Sequence, residues 1–367
     1  MKEVQIAWAL KSISGWGLYT QIKLVNHHGS LRDLYNYYLK ISSSVLKPEE
    51  RVLQEKLQNI GLNNANDNRF EICEKNGIEI IHIDDKRYPP LLRLTPDAPL
   101  VLYLKGNMPN IEYKYLSIIG TRKASDYGRR AISDFIATWQ GMPMNIISGL
   151  AEGIDGIAHE QAIKNKLPTF AVLGHGLQTT FPAHHRNLSQ KIIDEGGGLI
   201  TEFEWGVFPD KTNFPLRNRI VAGMSEVTWV VESPKKGGSM ITANLAQSYH
   251  RDIAALPGSI FQNNVEGNNS LIKSQAAHLV TDAQDILELL RLSTNKKTPK
   301  FQQLSLYQNL SEEEKVIIET LHEKGRTHVD ELAIKHSFTS SHLASVLLQL
   351  EMNGLVKTVP GKMYELL

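Results

Sequence analysis

Between residues 116 and 280 the chain alternates short apolar runs with helical patterns, and this alternation limits what it can fold into more than any other feature. The runs fall near 116–119, 145–148, 169–173, 198–202, 227–231, 253–256 and 278–280, with helical patterns such as 127–140 and 154–165 in the intervals. Strands that stay apolar along their length, rather than alternating, are those covered on both faces. Strand–helix alternation therefore predicts an α/β fold on an extended Rossmann-like, mostly parallel sheet. Ligands of such sheets meet the carboxyl ends of the strands. The glycines of this chain gather at those ends: Gly120, Gly149, Gly174, Gly176 and Gly238.

The flanking regions differ in pattern. Residues 1–65 read as short helices around Gly15-Trp16-Gly17 and His28-Gly29-Ser30, a helix-hairpin-helix or sterile-alpha-motif-like domain. A glycine-bearing turn of that kind either presents N–H groups to a phosphate or serves packing alone. Residues 66–290 form the Rossmann-like domain, which opens with strands at Ile78–Ile83 and Leu100–Leu104 separated by proline-rich turns. Residues 291–308 are a polar, lysine-bearing linker. In 309–367, Ser311-Glu312-Glu313-Glu314 starts a helix with a capping box and Ser340 caps a third helix. A hairpin over Gly354–Leu366 completes a C-terminal winged helix.

Charge shapes any nucleic-acid reading. The net charge is +1, spread as +3 over 1–65, −1 over 66–116, −2 over 117–290, +4 over 291–308 and −3 over 309–367. No domain is strongly basic, so a DNA site must be a focused pocket of a few cations. The third helix of the winged domain, 340–352, carries no Lys or Arg to reach a groove, which predicts a protein-binding or regulatory role for it. One cysteine, Cys73, excludes an internal disulfide, and no Cys/His spacing suggests a metal site. Adjacent His184 and His185 read as loop residues. No apolar run approaches the roughly 18 residues of a membrane span. The start, Met1–Gln5, lacks the apolar core of a signal peptide, so the expected location is the cytoplasm.

The densest chemical signal is Asn213-Phe214-Pro215-Leu216-Arg217-Asn218-Arg219, read as a loop, with Lys211 three residues before the aromatic. Guanidinium forks match phosphate oxygens, and a phenylalanine face accepts a base of any identity. The alternative is a core Phe214. Gly120-Thr121-Arg122 ends the first parallel strand, and Arg122 is the first choice for a phosphate contact, with a salt bridge as its alternative. Ser148-Gly149 and Gly153-Ile154-Asp155 repeat the strand–turn–helix arrangement. There Ser148 offers a hydroxyl, and Asp155 caps the helix or orients a cation. Gly174-His175-Gly176 permits close backbone approach, and Gly237-Gly238-Ser239 is an anion-nest candidate. Gly206 to Lys211-Thr212 lacks the glycine of a Walker A loop, so an ATPase is not expected.

These motifs, in this order, resemble the DNA-processing protein A family (DprA, or Smf) from about Ile80 to about Leu290. The resemblance rests on Tyr88-Pro89-Pro90-Leu91-Leu92, Gly120-Thr121-Arg122 and Ser148-Gly149-Leu150-Ala151-Glu152-Gly153-Ile154-Asp155. It continues through Val172-Leu173-Gly174-His175-Gly176-Leu177, Phe181-Pro182, Thr201-Glu202 and the Asn213–Arg219 block, then Gly237–Ala243, Pro257-Gly258 and Gly267-Asn268. It implies a sequence-independent single-stranded DNA binder that loads the RecA recombinase onto incoming DNA in natural transformation. It also implies a homodimer, no cofactor and no catalysis. Arg122, Lys211, Phe214, Arg217, Asn218 and Arg219 are the expected DNA contacts, with Gly120, Ser148, Gly149, Gly174, Gly176, Gly238 and Ser239 around them. The alternative is a nucleotide-cleaving phosphoribohydrolase on a related sheet, with Glu202 or Glu232 as its carboxylate.

Overall fold

A computed structural model describes residues 2–60, 68–292, 310–336, 338–353, 355–359 and 361–366. It contains two compact units, Met1–Ser293 and Thr294–Leu367. The expected linker lies almost wholly outside the described residues.

The first unit is built on nine strands: β1 (Glu79–His82), β2 (Val101–Gly106), β3 (Lys114–Ile119), β4 (Met144–Ser148), β5 (Thr169–Val172), β6 (Gly198–Thr201), β7 (Val227–Val230), β8 (Asp252–Ala255) and β9 (His278–Leu279). Their order is β1-β2-β6-β5-β4-β3-β7-β8-β9. The seven from β6 to β9 are parallel, while β1 and β2 extend the β6 edge antiparallel. Both faces are covered, and β4, β5, β6 and β7 are buried along their whole length. Each expected strand appears within two residues of its predicted place. On one face Phe135 stacks on Trp229, with ring centroids 5.0 Å apart and planes 7° apart, and Trp139 meets Trp229 edge-on.

The chain order reverses at β3, which pairs with β4 on one side and β7 on the other. Such a reversal sends the two following helices to opposite faces and leaves a crevice between the loops at the carboxyl ends.

Helix Lys2–Lys11 packs on β1 and β2, and helices Leu18–His28, Leu31–Lys40 and Pro48–Gln58 pack around it. Trp8 joins the two regions: its Nε1 donates to the Tyr103 hydroxyl at 3.0 Å, and its ring lies 4.8 Å from that of Phe70. The boundary expected near residue 65 is therefore a change of element type within one continuous core, not a break between compact units.

In the second unit, helices Glu312–Lys324, Val329–His336 and Ser340–Met352 surround Ile317, Leu321, Leu332, Leu343 and Leu347. Strands β10 (Thr327–His328), β11 (Val356–Val359) and β12 (Met363–Leu366) form the wing in the order β10-β12-β11. Ser311 and Glu314 make the expected capping box. The third helix differs by one residue. Thr339 caps it, its side chain accepting from the His342 N–H, and Ser340 is its first helical residue.

Candidate functional site

The block from Asn213 does not form a loop. It is the first half of a helix, Asn213–Met224, with Pro215 in the opening turn, where a missing N–H costs nothing. Helical geometry then sorts its side chains. Positions i, i+3, i+4 and i+7 share a face, and Phe214, Arg217, Asn218 and Val221 all line one cavity of about 690 Å³. Arg219, two residues past Arg217, is turned roughly 200° away. It is buried. Its Nη1 donates to the Asp97 carbonyl at 2.6 Å and its Nη2 donates to the Glu202 carboxylate. Arg219 is thus a structural ion-pair partner and not a cavity residue, contrary to the sequence reading.

The cavity lies over the reversal point of the sheet. Gly120, Thr121, Arg122 and Lys123 after β3, Gly149, Ala151 and Asp155 after β4, and Pro234, Gly237, Gly238, Ser239, Ile241 and Thr242 after β7 contribute to its lining. The turns are packed backbone to backbone. Gly153 has φ +76°, and a Cβ there would lie 2.3 Å from the Thr121 carbonyl oxygen, so only glycine closes this turn. Beneath the cavity Arg217 donates from Nη1 to the Gly149 carbonyl at 2.6 Å and to that of Val172. Asp155 accepts from the Gly149 N–H at 3.1 Å. Burial pushes the Asp155 carboxyl up, against the pull of Arg217, and pushes the Arg217 guanidinium down, against the pull of Asp155. Asp155 thus holds the backbone of the turn, and the Arg217 charge acts on it without a direct ion pair.

Three cations are differently placed. Arg122, Lys211 and Lys123, the last not anticipated from the sequence, all line the cavity, are exposed and have no acidic partner within 4 Å among the described residues. A free guanidinium and a free ammonium facing one crevice are an anion site in waiting. The apolar wall is aromatic. Phe214 is half-buried, and its ring lies over Gly174, where an added Cβ would stand 2.9 Å from Cδ1. Phe181 is 43% exposed and lies 5.5 Å from Phe214, centroid to centroid. Phe181 is the residue that sequence reasoning missed. Its signal was present, since Phe181-Pro182 stood among the motifs, but nothing in the local pattern gave it a partner 33 positions away.

The remaining expected residues divide cleanly. Gly120, Gly149, Gly238, Ser239 and Asn218 line the cavity with Arg122, Lys211, Phe214 and Arg217. The Ser239 hydroxyl, however, donates to Ser233 at 2.7 Å, away from any ligand. Ser148 is fully buried, donating to the Ile118 carbonyl at 2.6 Å, so it supports the sheet and does not reach the crevice. Gly174 supports the Phe214 ring from below. Gly176 is closed in by Glu204, whose carbonyl oxygen would stand 2.4 Å from an added Cβ.

The carboxylates named for hydrolysis lie elsewhere. Glu202 is held by Arg219, and burial pushes its carboxyl up. Glu232 is fully buried, accepting from Ser125 and, at 3.0 Å, from Asn264 Nδ2. Neither lines the cavity, and Asp155, its one acidic lining residue, has no second carboxylate or histidine beside it there. An acid–base pair for hydrolysis is not assembled.

A doubly wound sheet with unpaired cations and aromatic rings at its reversal point, in one chain with a winged helix, defines the class of fold and site to which known proteins can be compared. The chain belongs to the DNA recombination-mediator protein A family, whose pattern matches residues 79–291. Residues 305–362 match the DprA winged helix domain. Protein Smf of Escherichia coli (strain K12) is 37% identical over 287 residues, covering 77% of this chain and 76% of that protein. The crystal structure of DNA processing protein A from Streptococcus pneumoniae is 30% identical with a TM-score of 0.62, over 77% of this chain and 95% of that one. The Helicobacter pylori protein, whose structure was described for its unique single-stranded DNA binding mode, is 26% identical with a TM-score of 0.53, over 58% of this chain and 95% of its own.

Proposed function

We propose that the cavity binds single-stranded DNA largely without regard to sequence. In this reading Arg122 and Lys211 hold phosphates, Phe214 carries a stacked base, and Arg217, Asn218, Gly120, Gly149 and Gly238 shape the floor. One observation carries the proposal: the exposed cations Arg122, Lys123 and Lys211, without acidic partners among the described residues, line the same crevice as the rings of Phe181 and Phe214. Phosphate contacts alone suit duplex and single strand equally. A ring in a cavity wall can meet a base face only where the base is unstacked, and this selects the single strand. The Helicobacter pylori relative, described by its single-stranded DNA binding, supports the same assignment.

Membership of a recombination-mediator family further supports a role in natural transformation, in which the protein loads RecA recombinase onto incoming strands. A homodimer suits so small a pocket, because two linked sites raise the effective concentration along one strand. No helix among the described residues is long and apolar enough to cross a membrane.

Fluorescence anisotropy with matched 20-mers tests the central claim: single-stranded DNA is to bind at least tenfold tighter than duplex. Equal affinities sink it. Sedimentation at micromolar concentration tests the dimer, and RecA filament formation on coated single strands tests the loading.

A further inference from the structure

Beside the main cavity is a small recess of about 40 Å³, lined by Arg122, Glu152, Phe181, Pro182, Phe214 and Arg217 together with Gly149 and Ala151. Six of these eight residues also line the main cavity, so the recess opens from the same site. Glu152 sets it apart. It is the only carboxylate in the recess lining, and its side chain is half exposed. Its one basic neighbour within 4 Å among the described residues is the His184 imidazole, 3.9 Å away, which is long for a committed contact.

A carboxylate in a phosphate site works against phosphate binding, since like charges repel. It is acceptor-only, however, and therefore suits a donor on the ligand. DNA offers such donors on its bases. Cytosine and adenine carry exocyclic amino groups, and guanine carries an amino group beside a ring N–H. Thymine presents carbonyl oxygens on either side of its one N–H, and these a carboxylate disfavours. The size of the recess agrees. A recess of about 40 Å³ has room for an amino group or for a few waters. A base whose face lies on Phe214 in the main cavity thus has room to point an edge at Glu152.

The geometry points to Glu152 as a base-edge acceptor that gives the site a preference for amino-bearing bases, cytosine among the pyrimidines, over thymine. This rests on the single-stranded DNA reading above and adds a bias to it. Stacking on Phe214 supplies the sequence-tolerant part of the affinity, and Glu152 grades the bases.

The test compares dC20 with dT20 on the full chain by anisotropy at pH 8, where cytosine is neutral, with EDTA present so that no cation bridges carboxylate and phosphate. The two strands match in charge and ring size and differ at C4 (amino against carbonyl), at N3 and in the thymine methyl group, so the Glu152 variant is needed to assign the preference to the carboxylate. The native chain is to prefer dC20 by roughly three- to tenfold, the scale of one net hydrogen bond at a half-exposed acceptor. Glu152→Gln, whose amide both donates and accepts, is to close that gap, chiefly by binding dT20 more tightly. Equal affinities in the native chain, or a preference that survives Glu152→Gln, overturn the assignment to Glu152 and leave single-strand binding intact. Failure of both strands to bind removes the single-strand reading itself, and this inference with it.

Discussion

Arg217 and Gly149 fit together with no space for a methyl group between them: a Cβ on Gly149 would lie 2.3 Å from Arg217 Nη1, and the Gly149 carbonyl accepts from that nitrogen at 2.6 Å. The guanidinium beneath the cavity is therefore located by the backbone of the turn after β4. Gly149→Ala must displace Arg217, and overpacking of a buried site typically costs about 1–3 kcal/mol. The melting temperature is to fall and single-strand affinity with it. An alanine variant that melts and binds like the native chain contradicts this packing.

Arg122, Lys123 and Lys211 are the exposed cations of the cavity without an acidic partner within 4 Å among the described residues, with Arg217 buried below. If three to four phosphates are neutralised per protomer, log K against log salt should have a slope of about −2 to −3. Arg122→Ala should weaken binding to all sequences alike and flatten the slope by about 0.7, the single-strand value for one phosphate. An unchanged slope in that variant removes Arg122 from the site.

Arg219 gives the opposite expectation. Its side chain and that of Glu202 are only 6% and 13% exposed. Removing one partner of a buried pair strands the other charge, at about 3–5 kcal/mol. Arg219→Ala is to lower stability sharply in urea unfolding, while the fraction that remains folded binds single-stranded DNA normally. A binding defect without a stability defect would restore Arg219 to the DNA site.

The winged helix should be dispensable for affinity. Its third helix, Ser340–Met352, bears no lysine or arginine, and residues 309–367 sum to −3. Groove-reading helices depend on cations to hold the phosphates. A chain ending after Ser293 keeps the first unit whole, including the buried Leu290. It is to bind single strands within a few-fold of the full chain. Loss of binding on truncation would assign the wing to DNA.

The sheet was legible because burial on both faces leaves an unbroken apolar run, a signal contained within each strand. The turn glycines were legible as turns for the same local reason. What the sequence hid was direction. Arg217 and Arg219 look equivalent when the block is read as a loop. Only its helical form, begun by Pro215 in the first turn, places one under the cavity and the other in an ion pair with Glu202. Phe181 was hidden because its partner, Phe214, is brought to it by tertiary packing. The N-terminal helices read as a separate domain since nothing local reveals that Trp8 donates to Tyr103.

Phe214 decides between stacking and structure. Its ring rests on Gly174 and against Phe181, yet it is half-buried and lines the open cavity, so much of one side is available to a base. Stacking on an aromatic contributes about 1–3 kcal/mol per base. Phe214→Ala should thus cost roughly 5- to 150-fold in single-strand affinity. The salt slope should stay nearly constant, since a ring releases no counterion. Phe214→Tyr and Phe214→Trp are to keep most of the binding. A fully buried phenylalanine would instead cost about 3–5 kcal/mol of stability on truncation. Here the exposed side limits that loss, and thermal melting of the variant is to shift by much less than a core deletion would. If melting collapses while the folded remainder binds as before, Phe214 is packing only. Phe181, the more exposed of the two rings, then becomes the base partner, and Phe181→Ala is to show the loss of affinity in its place.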